Sequence, residues 1–116
     1  MRHRNKIKIL DRKKAARKAL LRNLATSLIL FEKIKTTEAK AKVLKPFIEK
    51  LVTCGKINNL NNRRQLKKSL YSENAVKKML EELSPRYKDR KGGYLRIIKL
   101  HARQGDAAKL AQIEFV

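Results

Sequence analysis

The C-terminal stretch 94-YLRIIKLHARQGDAAKLAQIEFV-116 decides the fold. Residues 94–102 contain Tyr94, Ile97 and Ile98 and are typical of a strand, residues 104–106 form a turn signal, and residues 110–116 are typical of a partner strand that alternates apolar with polar side chains over 111–115. This pattern predicts two strands joined by a turn. In the second strand, the alternation places Ala111, Ile113 and Phe115 inward and Gln112 and Glu114 outward. The hairpin therefore gives an otherwise helical chain a sheet.

One further strand is predicted upstream, at residues 33–36, where short alternation and β-branched residues coincide. The segments between this strand and the hairpin have the three- and four-residue apolar spacing of helices. A second helix follows a cap at Thr36 or Thr37 and ends at Gly55, and residues 56–62 are predicted to form a loop. Two shorter helices complete the middle of the chain: residues 63–70, and a segment that Ser72 caps and Ser84-Pro85 ends.

The first helix is predicted to run from Asp11, as its N-cap, to Phe31. Its apolar stripe consists of Ala16, Leu20, Leu24, Leu28 and Phe31. The opposite face of its first half is basic and carries Arg12, Lys13, Lys14, Arg17, Lys18 and Arg22. We therefore predict an α+β fold: a small mixed sheet from 33–36 and 94–116, covered by about four helices. An extended basic arm, residues 1–10, precedes a single domain formed by residues 11–116.

The charge balance is the strongest pointer to function. The chain has 116 residues with a formal net charge of +21, and its first 22 residues hold ten Lys or Arg against one acid, Asp11. The arm contributes Arg2, Arg4, Lys6 and Lys8 to this total. Like charges at this density repel one another unless a polyanion neutralises them. Because each phosphate contact releases condensed counterions, the composition favours nucleic-acid binding.

Other function classes find little support in the residues. Cys54 is the only cysteine, so an internal disulfide is excluded and a reducing compartment fits. His3 and His101, the only histidines, have no acid or nucleophile at a catalytic spacing, and no metal-binding pattern is present. The longest apolar run has four residues, 28–31, far short of the roughly 18 that a membrane span needs. We expect no enzyme, catalytic residue, metal or cofactor, and no membrane as partner.

A second basic segment, residues 86–94, contains Arg86, Lys88, Arg90 and Lys91. Its two tyrosines, at positions 87 and 94, can stack on unpaired bases or can pack beside the strand. Gly92-Gly93 can bring the backbone close to a phosphate or can simply form a turn. The pair is too short for a nucleotide-binding phosphate loop and lacks the Lys-Ser/Thr that follows one.

An ordered set of residues along the whole chain resembles the L-seventeen family of bacterial large-subunit ribosomal proteins. The matching positions are Met1-Arg2-His3-Arg4, Leu10, Arg12, Arg17, Ala19, Arg22-Asn23, Leu28, Glu32, Ile34, Thr36-Thr37, Lys40-Ala41-Lys42, Arg63-Arg64, Arg86-Tyr87, Arg90, Gly92-Gly93-Tyr94, Arg96-Ile97, Lys99, Arg103, Gly105-Asp106-Ala107-Ala108 and Ile113-Glu114. The chain departs from the family at Ala16, where a histidine is common, and at Leu95, where a threonine is common.

This resemblance implies an α+β protein assembled on 23S rRNA near the polypeptide exit side of the large subunit, beside neighbouring ribosomal proteins. It implies RNA contacts at Arg2, His3, Arg4, Arg12, Arg17, Arg22, Asn23, Arg63, Arg64, Arg90, Gly92, Gly93, Tyr94 and Arg96. We expect a bacterial cytoplasmic ribosome, because a match from Met1 leaves no room for an organelle presequence, and no homo-oligomer. The alternatives are a free nucleoid-type DNA-binding protein and, since the first helix is basic and amphipathic, a membrane-active protein. No recognition-helix signature or dimer-forming heptad favours the DNA alternative.

Overall fold

The structure, a computed structural model, describes residues 9–116. It contains a three-stranded sheet and four helices, as the sequence predicted. The strands are β1 (Lys33–Thr37), β2 (Leu95–Lys99) and β3 (Leu110–Phe115). The first three helices are α1 (Lys14–Phe31), α2 (Glu38–Gly55) and α3 (Leu60–Ser69). The fourth, α4, is α-helical over Glu73–Lys78, widens to a π-helix over Met79–Leu83 and closes with an α-helical turn over Ser84–Arg86.

The C-terminal strand β3 lies in the centre of the sheet, in the order β1-β3-β2. Both neighbours pair with it antiparallel, so Ile113 stands between Ile34 and Ile97. The sheet is therefore antiparallel throughout, and the prediction of a mixed sheet was wrong. A hairpin joins β2 to β3, so these two strands run in opposite directions. The strand β1, which lies earlier in the chain, pairs with the other edge of β3 and also runs opposite to it.

The core lies between the sheet and the helices. Helix α2 packs against all three strands and also contacts α1, α3 and α4. The predicted inward residues of β3 are buried, and Gln112 and Glu114 lie on the opposite, solvent-facing side. The largest fully buried apolar side chains come from every layer: Tyr94, Leu28, Ile29, Leu44, Ile48, Leu66, Met79, Leu83, Ile113 and Val52. Burial of this set is the main stabilising contribution to the fold.

The beginning of α1 differs from the prediction. The helix starts at Lys14 with Lys13 in the N-cap position, whereas Leu10 and Asp11 have positive φ angles of 54° and 58°. An N-cap residue usually has an extended backbone, as Lys13 does, whereas Asp11 is left-handed, so Asp11 belongs to a turn and is not the N-cap. The predicted stripe also fails at both ends. Ala16 and Phe31 are exposed, and Ala25 and Ile29 are buried instead, because the fully buried residues of α1 lie in its C-terminal half.

Two other helix boundaries differ from the prediction. Helix α3 begins at Leu60, inside the predicted loop, because the Asn59 side chain accepts a hydrogen bond from the Asn62 backbone N–H and caps it. Helix α4 continues past Ser84 to Arg86, where Pro85 occupies the first turn of the last helical segment. Over residues 9–116, no helix is both long enough and apolar enough to cross a membrane.

Candidate nucleic-acid interface

The predicted basic face at the start of the helical region is present on the surface. We call it the helix surface; it consists of Arg12, Lys13, Lys14, Arg17, Lys18 and Arg22. All of these side chains are exposed except Arg17 and Arg22, which are half-buried, and Asn23 beside them is also exposed. Because the buried residues of α1 lie in its C-terminal half, its first two turns are free to carry charge instead of apolar contacts.

In the described part of the chain, the cations of the helix surface have no carboxylate partners. Within residues 9–116, none of the six forms an ion pair, and the only polar contact of their side chains is a hydrogen bond from Arg12 to the Leu10 carbonyl at 3.1 Å. Repulsion within such a group is not relieved inside the described part of the chain. The surface is therefore electrostatically suited to an external polyanion.

Several cations elsewhere are paired with carboxylates, and those around Glu38 show this clearly. Its carboxylate lies 2.9 Å from Lys42 and 3.9 Å from Lys99. The hydrogen bond from Lys42, with the nearby charges of Lys99 and Lys109, lowers the pKa of Glu38. Basic residues of the same type are thus neutralised on this side of the molecule and unpaired on the helix surface.

The second basic segment forms the loop surface, made of Lys88, Arg90, Lys91, Gly92 and Gly93. All five residues are exposed. Gly93 has a φ of +62°, which a side chain would strain, so it is required for the turn itself. The loop is fixed from beneath by Lys56, whose ammonium group hydrogen-bonds the Arg90 carbonyl. This contact holds the backbone and leaves the Arg90 guanidinium outside.

The tyrosines that flank this loop are core residues. Tyr87 is 4% exposed and Tyr94 is 1% exposed, and their ring centroids lie 5.4 Å apart. The Tyr87 hydroxyl donates to the Val116 carbonyl at 2.7 Å, and the Tyr94 hydroxyl shares a hydrogen bond with Thr53. Base stacking on either ring, the alternative that the sequence left open, is therefore not available in this fold. The Tyr94 ring is needed to fill the core, and an RNA contact at this position stays a prediction.

Tyr94 also has a cation beside it. The Lys56 ammonium group lies 4.8 Å from the ring centroid, and its hydrogen bond is the largest cause of the lowered pKa of the Tyr94 phenol. Lys56 is therefore engaged with both the loop backbone and this ring. Its position explains how a basic loop can stay ordered against the sheet.

Two predicted RNA-facing arginines bind carboxylates within the protein. Arg86 hydrogen-bonds Glu32, and this bond lowers the pKa of the glutamate. Arg96, on the solvent-facing side of β2, hydrogen-bonds Glu114 at 2.7 Å and lowers that pKa in the same way. Both guanidinium groups retain free donors, since each has five N–H bonds. They are nonetheless weaker candidates for phosphate than the unpaired cations.

Arg63 and Arg64 lie in the first half of α3 and are exposed. Arg63 lines a shallow groove between α3 and α4 together with Lys67, Lys77 and the acids Glu73 and Glu81. This groove is mixed in charge, unlike the helix surface. The two arginines therefore form a third, smaller basic site instead of extending the others.

The helix surface and the loop surface are anchored at opposite ends of α1. Arg86, which begins the loop segment, contacts Glu32 just beyond the C-terminal end of that helix. Along α1, Lys14 and Arg22 lie about 26 Å and about 14 Å from Phe31 at roughly 1.5 Å per residue. The structure thus does not bring the two predicted basic segments together. Arg2, His3, Arg4, Lys6 and Lys8 lie outside the described residues.

The sequence pattern does not identify one surface residue, Tyr71, as a site residue. Tyr71, in the connection between α3 and α4, is 56% exposed, and the Arg22 guanidinium lies 5.9 Å from its ring centroid. A lone tyrosine after a predicted helix carries no periodic signal. Only the packing of this connection against α1 brings it beside the helix surface.

Comparisons with known proteins agree with the resemblance. The family described as "Ribosomal protein L17" matches residues 20–116. Proteins described as "Large ribosomal subunit protein bL17" are similar to the chain. The one from Hydrogenobaculum sp. is 50% identical over 117 residues, which covers 100% of this chain and 99% of that protein. Those from Exiguobacterium sp. and Rickettsia bellii are each 49% identical, over 92% and 100% of this chain and 96% and 82% of their own lengths.

Proposed function

The chain belongs to the ribosomal protein L17 family, and from that premise we propose that it is a structural constituent of the large subunit of a bacterial ribosome. In this role it binds 23S rRNA near the polypeptide exit side and contacts neighbouring large-subunit proteins. It acts in the cytoplasm as one copy per site, not as a homo-oligomer or an enzyme. Residues 1–10 serve as a basic arm, and residues 11–116 serve as one domain.

The observation that carries this proposal is the concentration of cations on the helix surface, none of which forms an ion pair within residues 9–116. The six basic residues of the helix surface have no carboxylate within residues 9–116, whereas those around Glu38 share one. Affinity for a nucleic-acid backbone comes from cations that are free to neutralise phosphates. The helix surface therefore contributes most of the affinity, and the arm adds to it.

Separation of the two basic surfaces suggests how the protein acts as a structural constituent. The helix surface and the loop surface lie at opposite ends of α1, on a molecule whose largest dimension is 43 Å. A rigid body of this kind can contact two RNA segments at once and fix the distance between them. Arg22, Arg63, Arg64 and Arg90 suit this task because a guanidinium group can bind a phosphate through two parallel hydrogen bonds.

A matched pair of triple variants tests the proposal. One variant replaces Lys13, Lys14 and Lys18 of the helix surface with glutamine. The control replaces Lys42, Lys99 and Lys109, which surround Glu38, with glutamine. Both lose the same net charge, so any difference in affinity for 23S rRNA reflects position and not overall charge.

Wild-type binding to 23S rRNA should be steeply salt-dependent. With about 6–10 phosphate contacts, affinity falls by about 10³–10⁵ between roughly 50 and 200 mM salt. The helix-surface variant should lose up to about three units of the slope of log affinity against log salt concentration, at about 0.9 per contact, and the control should lose little. Equal losses in both variants would contradict the assignment of the interface. Equal affinity of the wild type for duplex DNA would favour the nucleoid alternative.

A further inference from the structure

Tyr71 is unusual among the tyrosines of this chain because its ring is open to solvent. It is 56% exposed, whereas Tyr87 and Tyr94 are buried. It belongs to the short connection that follows the C-cap of α3 at Leu70 and precedes α4. Its ring therefore contributes little to the core.

Tyr71 is held in place against the basic helix. Its backbone N–H donates to the Thr26 hydroxyl at 3.4 Å, and that hydroxyl donates in turn to the Arg22 carbonyl at 2.9 Å. The Arg22 guanidinium lies 5.9 Å from the ring centroid, within the range of a cation–π contact. An exposed aromatic ring, an unpaired guanidinium group and a fixed backbone are thus combined at one point of the surface.

This combination suits an unpaired nucleobase. Bases stack on aromatic rings and on guanidinium planes, and stacking tolerates any base because each has a π-face. An apolar protein partner would instead favour a continuous apolar patch, whereas the side chain that lies against the Tyr71 ring is the cation Arg22. The charge around the ring favours a polyanion over such a partner.

We propose that Tyr71 and Arg22 form a stacking platform for one unpaired base of the bound RNA. This inference rests on the proposed function, since it assumes that the helix surface lies against RNA. It adds a contact of a different kind, because stacking on Tyr71 neutralises no phosphate. The base is held at the point where α1 meets the α3–α4 connection.

The probe is a short single-stranded oligoadenylate with 2-aminopurine at its centre, whose fluorescence reports stacking. Tyr71→Ala should weaken binding about tenfold, within the range measured for loss of one aromatic platform. Tyr71→Phe should bind as the wild type does, and Tyr71→Leu should resemble alanine because it retains apolar surface without a π-face. Phe31→Ala removes another exposed aromatic ring, 72% exposed at the far end of α1, and serves as the control.

The salt dependence separates stacking from charge. The slope of log affinity against log salt concentration should be unchanged in Tyr71→Ala, because only phosphate contacts contribute to it. Thermal melting identifies any variant that is destabilised. If Tyr71→Ala is destabilised, the affinities of Tyr71→Phe and Tyr71→Leu for the oligoadenylate decide whether the aromatic ring itself is required.

Unchanged affinity and 2-aminopurine fluorescence in Tyr71→Ala and Tyr71→Leu would overturn the platform. If the helix-surface triple variant still weakened binding to 23S rRNA, the proposed function would stand without it. Wild-type binding to 23S rRNA without measurable binding to the oligoadenylate would also overturn the platform. Failure of the wild type to bind 23S rRNA at all would reject the proposed function itself.

Discussion

The carboxylate of Glu32 accepts a hydrogen bond from the guanidinium group of Arg86, although 54 residues separate the two along the chain. Glu32 follows the end of α1 with a φ of 64°, and its backbone carbonyl accepts a hydrogen bond from the Phe115 N–H at 3.1 Å. Lys78 approaches the same carboxylate at 3.5 Å. One residue therefore joins α1, α4 and the sheet, and it positions the start of the loop surface.

Glu32→Gln should lower stability in a pH-dependent way. The partners of Glu32 lower its pKa below the ordinary value of 4.5, with the Arg86 hydrogen bond as the largest cause. The contribution is therefore fully present above the unfolded-state pKa and is lost as the pH falls through the folded-state pKa. At neutral pH we expect a loss of about 0.2–1 kcal/mol, because both partners are partly exposed.

Thermal melting of wild type and Glu32→Gln, from neutral pH to below the folded-state pKa of Glu32, checks the sign of this dependence. The difference in melting temperature should shrink as the pH falls below the folded-state pKa of Glu32. Glu73→Gln, which breaks the exposed pair with Lys67, is the matched control. A difference for Glu32→Gln that stays constant with pH would show that the ion pair is not its source.

Gly55→Ala should destabilise the fold despite the better helix propensity of alanine. A Cβ at position 55 would lie 2.4 Å from the Ser84 hydroxyl oxygen and 3.3 Å from Met79 Cγ. Ser84 cannot easily move, because it is buried and its hydroxyl donates to the Val52 carbonyl at 3.0 Å. Overpacking of this kind costs about 1–3 kcal/mol, which exceeds the gain of about 1 kcal/mol from replacing glycine in a helix.

A double-mutant cycle identifies the clash. In a Ser84→Ala background the closest contact is absent, so Gly55→Ala should cost less there than in the wild type. Denaturant unfolding of the four proteins measures this coupling. Additive effects would mean that the space around Ser84 is not what limits position 55.

Tyr94 should behave as a core residue and not as an RNA ligand. Tyr94→Phe removes only the hydroxyl that lies 3.2 Å from Thr53, so it should cost about 0.5–1.5 kcal/mol of stability. Its affinity for 23S rRNA, expressed per folded molecule, should equal that of the wild type. A large loss of affinity with unchanged melting would restore Tyr94 to the interface.

Deletion of residues 1–10 should weaken incorporation into large subunits while the rest of the chain melts as before. The deleted segment carries four Lys or Arg and no acid, so its loss removes charge that would otherwise neutralise phosphates. Particle occupancy and thermal melting of the truncated protein are measured together. Collapse of the melting transition with full occupancy would reverse the prediction.

The sheet could be predicted from sequence because its signals are local. The alternation of Ala111, Ile113 and Phe115 with polar residues marks a half-buried strand wherever it pairs. The start of α1 could not be predicted in the same way, because Asp11 is of a residue type that commonly caps helices but has a left-handed backbone. Whether Ala16 is buried also depends on which neighbours α1 meets, and periodicity alone does not contain that information.

The candidate interface was predictable in its charge but not in its pairing. Counting cations identifies both basic segments, yet nothing in the local sequence shows that Arg86 meets Glu32 or that Arg96 meets Glu114. Their partners lie 54 and 18 residues away. Tyr71 was not predicted as a site residue, because only the folded structure places it beside Arg22.

The most direct test of the central claim is tethered hydroxyl-radical probing of 23S rRNA in reconstituted large subunits. Cys54 is the only cysteine, and burial raises the pKa of its thiol. In a Cys54→Ala background, a cysteine introduced at a chosen position therefore carries the only cleaving group. Positions 18 and 91 probe the helix surface and the loop surface, and position 82, an exposed glutamate on α4, is the control. We expect strong cleavage of 23S rRNA at two distinct sites from positions 18 and 91, and weak cleavage from position 82. Cleavage from position 82 that equals or exceeds the other two would contradict the claim that the unpaired cations face the RNA.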